Sequence, residues 1–237
     1  MIIIFLLILC IILSLIYFTS YRTLYKQNLQ LSLDPLQEKL IAEEFNHKIL
    51  AIGSSSIEYW PFEDIGLTKD ILFNAGISGQ TSTQVLYRLE RLLLKHKPQY
   101  LIIQVGLNDI KSIGLLDHSE QIIKKLEANF RRIFDLCAQN HIISIYITNF
   151  PTAKTNILRR LVWNKTLDEF ILETNLEMKK VCMNYNINIF DAYELLVEPN
   201  SFKRKAEYSK NFLHLNEDGY KILNMKLKSE LLKIIKY

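Results

Sequence analysis

The chain has 237 residues, enough for one generous domain or two small ones. It is 49% hydrophobic and 23% charged with a net charge of +4, which excludes a disordered chain and supplies no basic excess of the kind that marks nucleic-acid binding. Three cysteines, Cys10, Cys137 and Cys182, exclude a disulfide-dense scaffold and a Cys-rich zinc site, and seven glycines are few enough for each position to be informative.

Residues 1–18 read MIIIFLLILCIILSLIYF, with no charge. As a helix this run spans about 27 Å, close to the hydrocarbon thickness of a bilayer. It predicts a single-pass transmembrane anchor with Tyr17, Phe18 and Tyr21 at the interface and Arg22 and Lys26 on the water side. There is no basic segment ahead of the run and no small-x-small site after it, so a cleaved signal peptide fits less well. Residues 19–33 read as a polar, irregular tether, and Asp34-Pro35 opens a leading helix. Residues 19–46 thus join the anchor to a domain over 47–237. Arg22 and Lys26 after the span, with no Lys or Arg before it, place that domain in the cytoplasm by the positive-inside rule.

From about residue 47, short apolar runs alternate with amphipathic stretches. The runs are 49–52, 71–73, 100–105, 142–147 and 187–190, β-branched and with little in–out alternation, as strands buried on both faces read. Between them, Val85, Leu86, Leu89, Leu92 and Leu93 share a helical face, as do Ile122, Ile123, Leu126, Phe130, Ile133 and Phe134. Further helices are predicted over about 161–185 and 217–236, and a short one over 192–197 capped by Asp191. Strands alternating with helices predict an α/β fold: a three-layer α/β/α sandwich around a five-stranded parallel sheet. In such sheets the site lies outside the carboxyl ends of the strands.

The residues just after each strand are therefore informative. Gly53-Ser54-Ser55-Ser56-Ile57 comes after the first, and Asn74-Ala75-Gly76-Ile77-Ser78-Gly79-Gln80-Thr81 after the second. Gly106-Leu107-Asn108-Asp109 comes after the third, and Asn211-Phe212-Leu213-His214 precedes the last helix. A serine at a tight turn, two donor loops and a late histidine make up what acyl transfer needs: a nucleophile, a base and donors aimed at an oxyanion.

These four stretches, in this order, resemble the SGNH (GDSL-type) hydrolase superfamily over roughly residues 47–236. The resemblance implies the flavodoxin-like fold of that superfamily and a serine esterase or lipase-like activity. Gly53-Ser54-Ser55 matches the Gly-Asp-Ser block, with Trp60 where many members carry tryptophan, and makes Ser55 the nucleophile. Gly79 matches the oxyanion-hole glycine and Asn108 the oxyanion-hole asparagine, with the Ser55 N–H as a third donor. His214 matches the base of the Asp-x-x-His block. Two positions depart from the pattern: Ser54 replaces the aspartate of Gly-Asp-Ser, and Asn211 stands where the triad aspartate belongs. Asparagine can accept a hydrogen bond through its oxygen but supplies no charge and can present its NH2 group instead.

The resemblance implies three functions. The first is hydrolysis of a small-molecule, carbohydrate or lipid ester through Ser55 and His214, with Asn211 in the aspartate position. The second is acyl or acetyl transfer, or deacetylation, on envelope polysaccharide, which favours the extracytoplasmic side against the flanking charges. The third is a binding domain whose catalysis has decayed. No metal, organic cofactor or nucleic-acid partner is implied. The other histidines, His47, His96, His118 and His141, read as solvated caps at element ends. The cations Lys154, Arg159, Arg160 and Lys165 around Trp163 read as a solvated basic face or a contact for anionic headgroups.

Overall fold

Among the described residues there are five short strands: β1 Ile49–Gly53, β2 Leu72–Gly76, β3 Tyr100–Gln104, β4 Ile143–Ile147 and β5 Asn188–Phe190. All pair in parallel, in the order β2-β1-β3-β4-β5. The helices are α1 Ile2–Leu29, α2 Ser55–Glu58, α3 Ser82–Lys95, α4 Leu107–Leu116, α5 Ser119–Gln139, α6 Lys165–Asn184, α7 Ala192–Leu196 and α8 Glu217–Ile234. This computed structural model describes residues 2–29, 41, 47–116, 119–154 and 165–234. The Asp34-Pro35 helix start, His118 and the basic cluster of Arg159, Arg160 and Trp163 lie outside the described residues.

The sheet is buried on both faces, as its continuous apolar strands require. Ile49 and Ala51 of β1, Ile102 of β3 and Ile145 and Ile147 of β4 face one layer, where α8 packs Tyr220, Leu223, Leu227 and Leu231. Leu50 and Ile52, Leu101 and Ile103, and Tyr146 face the other. There α3 contributes Val85, Leu89 and Leu92, and α5 contributes Leu126, Phe130, Ile133 and Phe134. The period of two along each strand separates the two cores, and the period of 3.6 along each helix fills them. The α/β/α sandwich is therefore present, with the order 2-1-3-4-5 that creates a switch point between β1 and β3.

Two expectations are corrected. The segment from residue 19 is not an irregular tether at its start, because α1 continues as helix to Leu29. No glycine or proline interrupts residues 19–29, and the hydroxyls of Thr19 and Thr23 bond back to the carbonyls of Leu15 and Thr19, each at 2.9 Å. Asn74, Ala75 and Gly76 belong to β2 and not to the loop after it, paired with Ala51, Ile52 and Gly53. Their polar and small side chains hide the strand from a hydrophobicity reading, although the backbone continues the ladder.

Candidate active site

The switch point gathers the four blocks. β1 ends at Gly53, and the chain turns directly into α2, whose first residue is Ser55. Ser54 and Ser56 are buried, whereas Ser55 is half-exposed. As the first residue of a helix, Ser55 has an N–H with no partner within that helix. Its Oγ lies 3.2 Å from Nε2 of His214, across 159 residues of sequence.

The second block forms a loop beside Ser55, held by specific bonds. Asn74 donates to the Ile57 carbonyl at 2.9 Å and accepts from the Gly76 N–H at 3.0 Å. Gly76 is needed for close approach: a Cβ there would sit 2.2 Å from the Glu58 nitrogen. Gly79 is needed for conformation: its φ is +80°, with nothing within 4 Å of where a Cβ would be. The loop ends in a capping box at the start of α3, in which the Gln84 side chain accepts from the Thr81 N–H at 3.1 Å.

The third block supplies Asn108 in the first turn of α4. Its Nδ2 donates to the Gln80 carbonyl at 3.0 Å, so α4 grips the loop that carries Gly79. An amide NH2 has two hydrogens, and this bond uses one. The neighbouring Asp109 is structural. It accepts from the Ser82 N–H at 2.9 Å and the Ser82 hydroxyl at 2.6 Å, tying α4 to α3. Burial raises the Asp109 carboxyl to about 6 although both bonds favour the ionised form.

The fourth block brings Asn211 to His214 in a defined orientation. The Asn211 oxygen accepts from the backbone N–H groups of Leu213 and His214, both at 2.9 Å. Its NH2 is then directed to His214 Nδ1 at 3.1 Å. Rotating the amide would put NH2 against two N–H donors, so the orientation is chemically determined. Nδ1 therefore accepts, and the neutral ring carries its proton on Nε2, facing Ser55. Burial lowers the His214 pKa below 6.5, and Arg204, Lys210 and Lys111 lower it further, opposed by Glu58.

Four residues at this site carried no motif. Glu58, in the last position of α2, accepts from the Ser78 N–H at 2.8 Å and also from the Ser78 hydroxyl. Arg204 is buried and fans out to the carbonyls of Asn211 at 2.7 Å and of Leu213 and His214 at 3.0 Å, shaping the histidine loop. Arg88 is buried in α3 and donates to the Gln80 side chain at 2.8 Å and to the Ala75 carbonyl. Arg88 had a signal: it falls on the apolar stripe of Val85, Leu89 and Leu92, where a charge calls for partners. Arg204 lies outside any periodic segment and had none. Tyr59, half exposed, meets the His214 ring edge-on at 5.7 Å. Of the other histidines, His96 is buried at 8% exposure and is not a solvated cap; His47 is partly buried with Nε2 against the Lys69 carbonyl, and His141 is exposed.

The profile of the GDSL-like Lipase/Acylhydrolase family matches residues 64–222, which begins after Ser55 and takes in Gly79, Asn108, Asn211 and His214. The chain is 42% identical over 52 residues to the thioesterase 1/protease 1/lysophospholipase L1 of Escherichia coli K12; this is 21% of the chain and a quarter of the length of that relative. A GDSL-like lipase from Bacteroides thetaiotaomicron superposes with a TM-score of 0.65 at 22% identity, covering 92% of this chain and 100% of that one. A catalytic mutant of an acetylxylan esterase from Geobacillus stearothermophilus gives 0.62 at 15% identity, covering 80% and 96%. These structures share the fold, and the family profile covers more than half of the sequence: the chain belongs to the GDSL-like lipase/acylhydrolase family.

Proposed function

We propose that the protein is a serine carboxylic ester hydrolase anchored in a membrane by α1. The observation that carries this reading is the 3.2 Å approach of His214 Nε2 to Ser55 Oγ. Ser55 attacks the acyl carbon while His214 takes the hydroxyl proton, and the alkoxide leaves with that proton. The N–H groups of Ser55 and Gly79 and the second amide hydrogen of Asn108 hold the oxyanion. Water then attacks the acyl-enzyme, again through His214, releasing the acid and restoring Ser55. To act as base, His214 must move its proton from Nε2 to Nδ1 and give up the hydrogen bond from Asn211. A bond of that kind is worth about 1 kcal/mol net, so the step slows the reaction without preventing it.

Two similar structures carry the name acetylxylan esterase, which makes acetyl esters of carbohydrates the first substrates to try beside lipid esters. The full chain in detergent should turn over p-nitrophenyl acetate and take up a fluorophosphonate probe, and Ser55→Ala should do neither. Equal labelling of both proteins would refute the assignment of Ser55. Turnover only in the presence of a sugar acceptor would identify a transferase instead, and no turnover by wild type or by Asn211→Asp a binding domain.

A further inference from the structure

The anchor does not stand away from the domain. Residues 2–20 of α1 are exposed, and the candidate span Ile2–Thr23 has a mean hydropathy of 3.1. Tyr21 is half-buried, with exposed residues on both sides of it. The Lys111 ammonium lies over the Tyr21 ring, 5.1 Å from its centroid. α1 also packs against α4 and α3. Those are the two helices whose first turns adjoin the oxyanion blocks: Asn108 is in the first turn of α4, and Gly79 lies just ahead of α3. Lys111 is also one of the charges that lower the His214 pKa, so the same ammonium touches the anchor and is felt by the site.

The distances have a consequence for the bilayer. Tyr21 is three residues past Phe18, about 4.5 Å along the helix. With the hydrocarbon ending at Phe18, the last residue of the apolar run, and a headgroup layer roughly 5–7 Å deep on each side, Tyr21 falls in that layer with Lys111 against its ring. Asn108 is three residues before Lys111, about another 4.5 Å along α4. An extended tether of fifteen residues would have allowed the site to stand about 50 Å from the membrane. The helical connection instead holds Tyr21 against Lys111, one turn along α4 from Asn108.

We propose that the rim formed by α3, α4 and the end of α1 is a lipid-surface contact, which seats the site against the headgroup layer so that it receives esters held in the bilayer in preference to esters in solution. This rests on the hydrolase reading above and on α1 spanning a bilayer. Arg22, whose guanidinium lies 5.9 Å from the Phe18 ring centroid, and Lys111 give the contact the cationic character suited to phosphate-bearing headgroups.

The test uses the full chain in phosphatidylcholine vesicles. Benzoylphenylalanine introduced at Tyr21 should photocrosslink to residues 107–116; crosslinks to lipid alone would overturn the docking. In Tyr21→Lys a second ammonium beside Lys111 separates α1 from α4. Its kcat/KM for soluble p-nitrophenyl acetate should stay within about twofold of wild type, while its rate on p-nitrophenyl palmitate dissolved in the same vesicles should fall by about fivefold or more. Rates on both esters that stay unchanged, or that fall equally, would overturn the proposal. If wild type turns over neither ester, the hydrolase reading fails, and with it the preference for bilayer esters. The crosslink is still read in that case and tests the seating alone.

Discussion

Asn211 gives its amide hydrogen to Nδ1 of His214 at 3.1 Å, while two backbone N–H groups hold the Asn211 oxygen. An aspartate in this place would do the reverse at the ring: it would accept from Nδ1–H and leave Nε2 free to take the serine proton. Asparagine is thus more than an aspartate without charge. It selects the tautomer in which Nε2 already holds a proton.

Restoring the carboxylate should therefore raise activity. In Asn211→Asp, one oxygen can keep both backbone bonds and the other can accept from Nδ1–H. In the serine-protease triad, the opposite change costs about 10⁴ in turnover, of which a lost hydrogen bond explains about fivefold. We expect kcat/KM on p-nitrophenyl acetate to rise by at least about tenfold, with thermal stability little changed. An unaltered rate in a folded variant would show that the tautomer does not limit turnover.

The pH profile should carry the same signature. Burial, then the charges of Arg204, Lys210 and Lys111, hold His214 below its ordinary 6.5. A base with a depressed pKa stays neutral to lower pH, so the acid limb of kcat/KM should have its midpoint below 6.5. The unfolded chain binds the His214 proton more readily than the native one in that window, so acidification below 6.5 also costs stability. Asn211→Asp adds a negative charge beside the ring and should move the limb to higher pH. A limb that stays fixed in this variant would show that His214 is not the titrating base.

Glu58 ties α2, which carries Ser55, to the loop that carries Gly79, through Ser78. Removing an oxyanion donor outright costs about 10²–10³ in kcat, and loosening one should cost less. Glu58→Ala should lower kcat by about tenfold or more with a small change in KM. Glu58→Gln keeps an acceptor for Ser78 and should recover most of the loss. Equal rates for the two variants would mean that the charge, and not the strap, is what matters.

Arg204 stays protonated at neutral pH although burial pushes it down to about 10. Its guanidinium satisfies carbonyls of Pro151, Asn211, Leu213 and His214, spread over a planar fork that lysine cannot reproduce. Arg204→Met leaves several of these without their donor, at about 1–3 kcal/mol for each acceptor that stays dry. We expect destabilisation of about 3 kcal/mol or more in urea titration, with Arg204→Lys in between. A stable Arg204→Met protein would show that water replaces the guanidinium.

The fold is legible in the sequence because its signals are local. The runs around Ile49–Ile52 and Tyr100–Gln104 are apolar on both faces, and the stripe on α3 repeats with the helix period, so strand, helix and layer can be assigned without contacts. The end of β2 and the length of α1 escape such a reading for the converse reason. Asn74 and Gly76 are in strand because β1 and Ile57 supply partners, and residues 19–29 are polar yet carry nothing that stops a helix.

The order of the four short blocks, three of them just after a strand and the fourth ahead of the last helix, indicates by itself where a site would form. That Ser55 is the serine in it, and that position 211 departs from a triad, is what the resemblance of those blocks to the hydrolase family implies. Only the tertiary structure decided which way Asn211 faces, because that depends on the N–H groups of Leu213 and His214 converging on its oxygen. It alone recruited Glu58 and Arg204, whose partners lie on loops that no periodicity connects to them. It also brought Tyr21 against Lys111, 90 residues apart in sequence, because α1 stays helical long enough to reach the helices that frame the loop carrying Gly79.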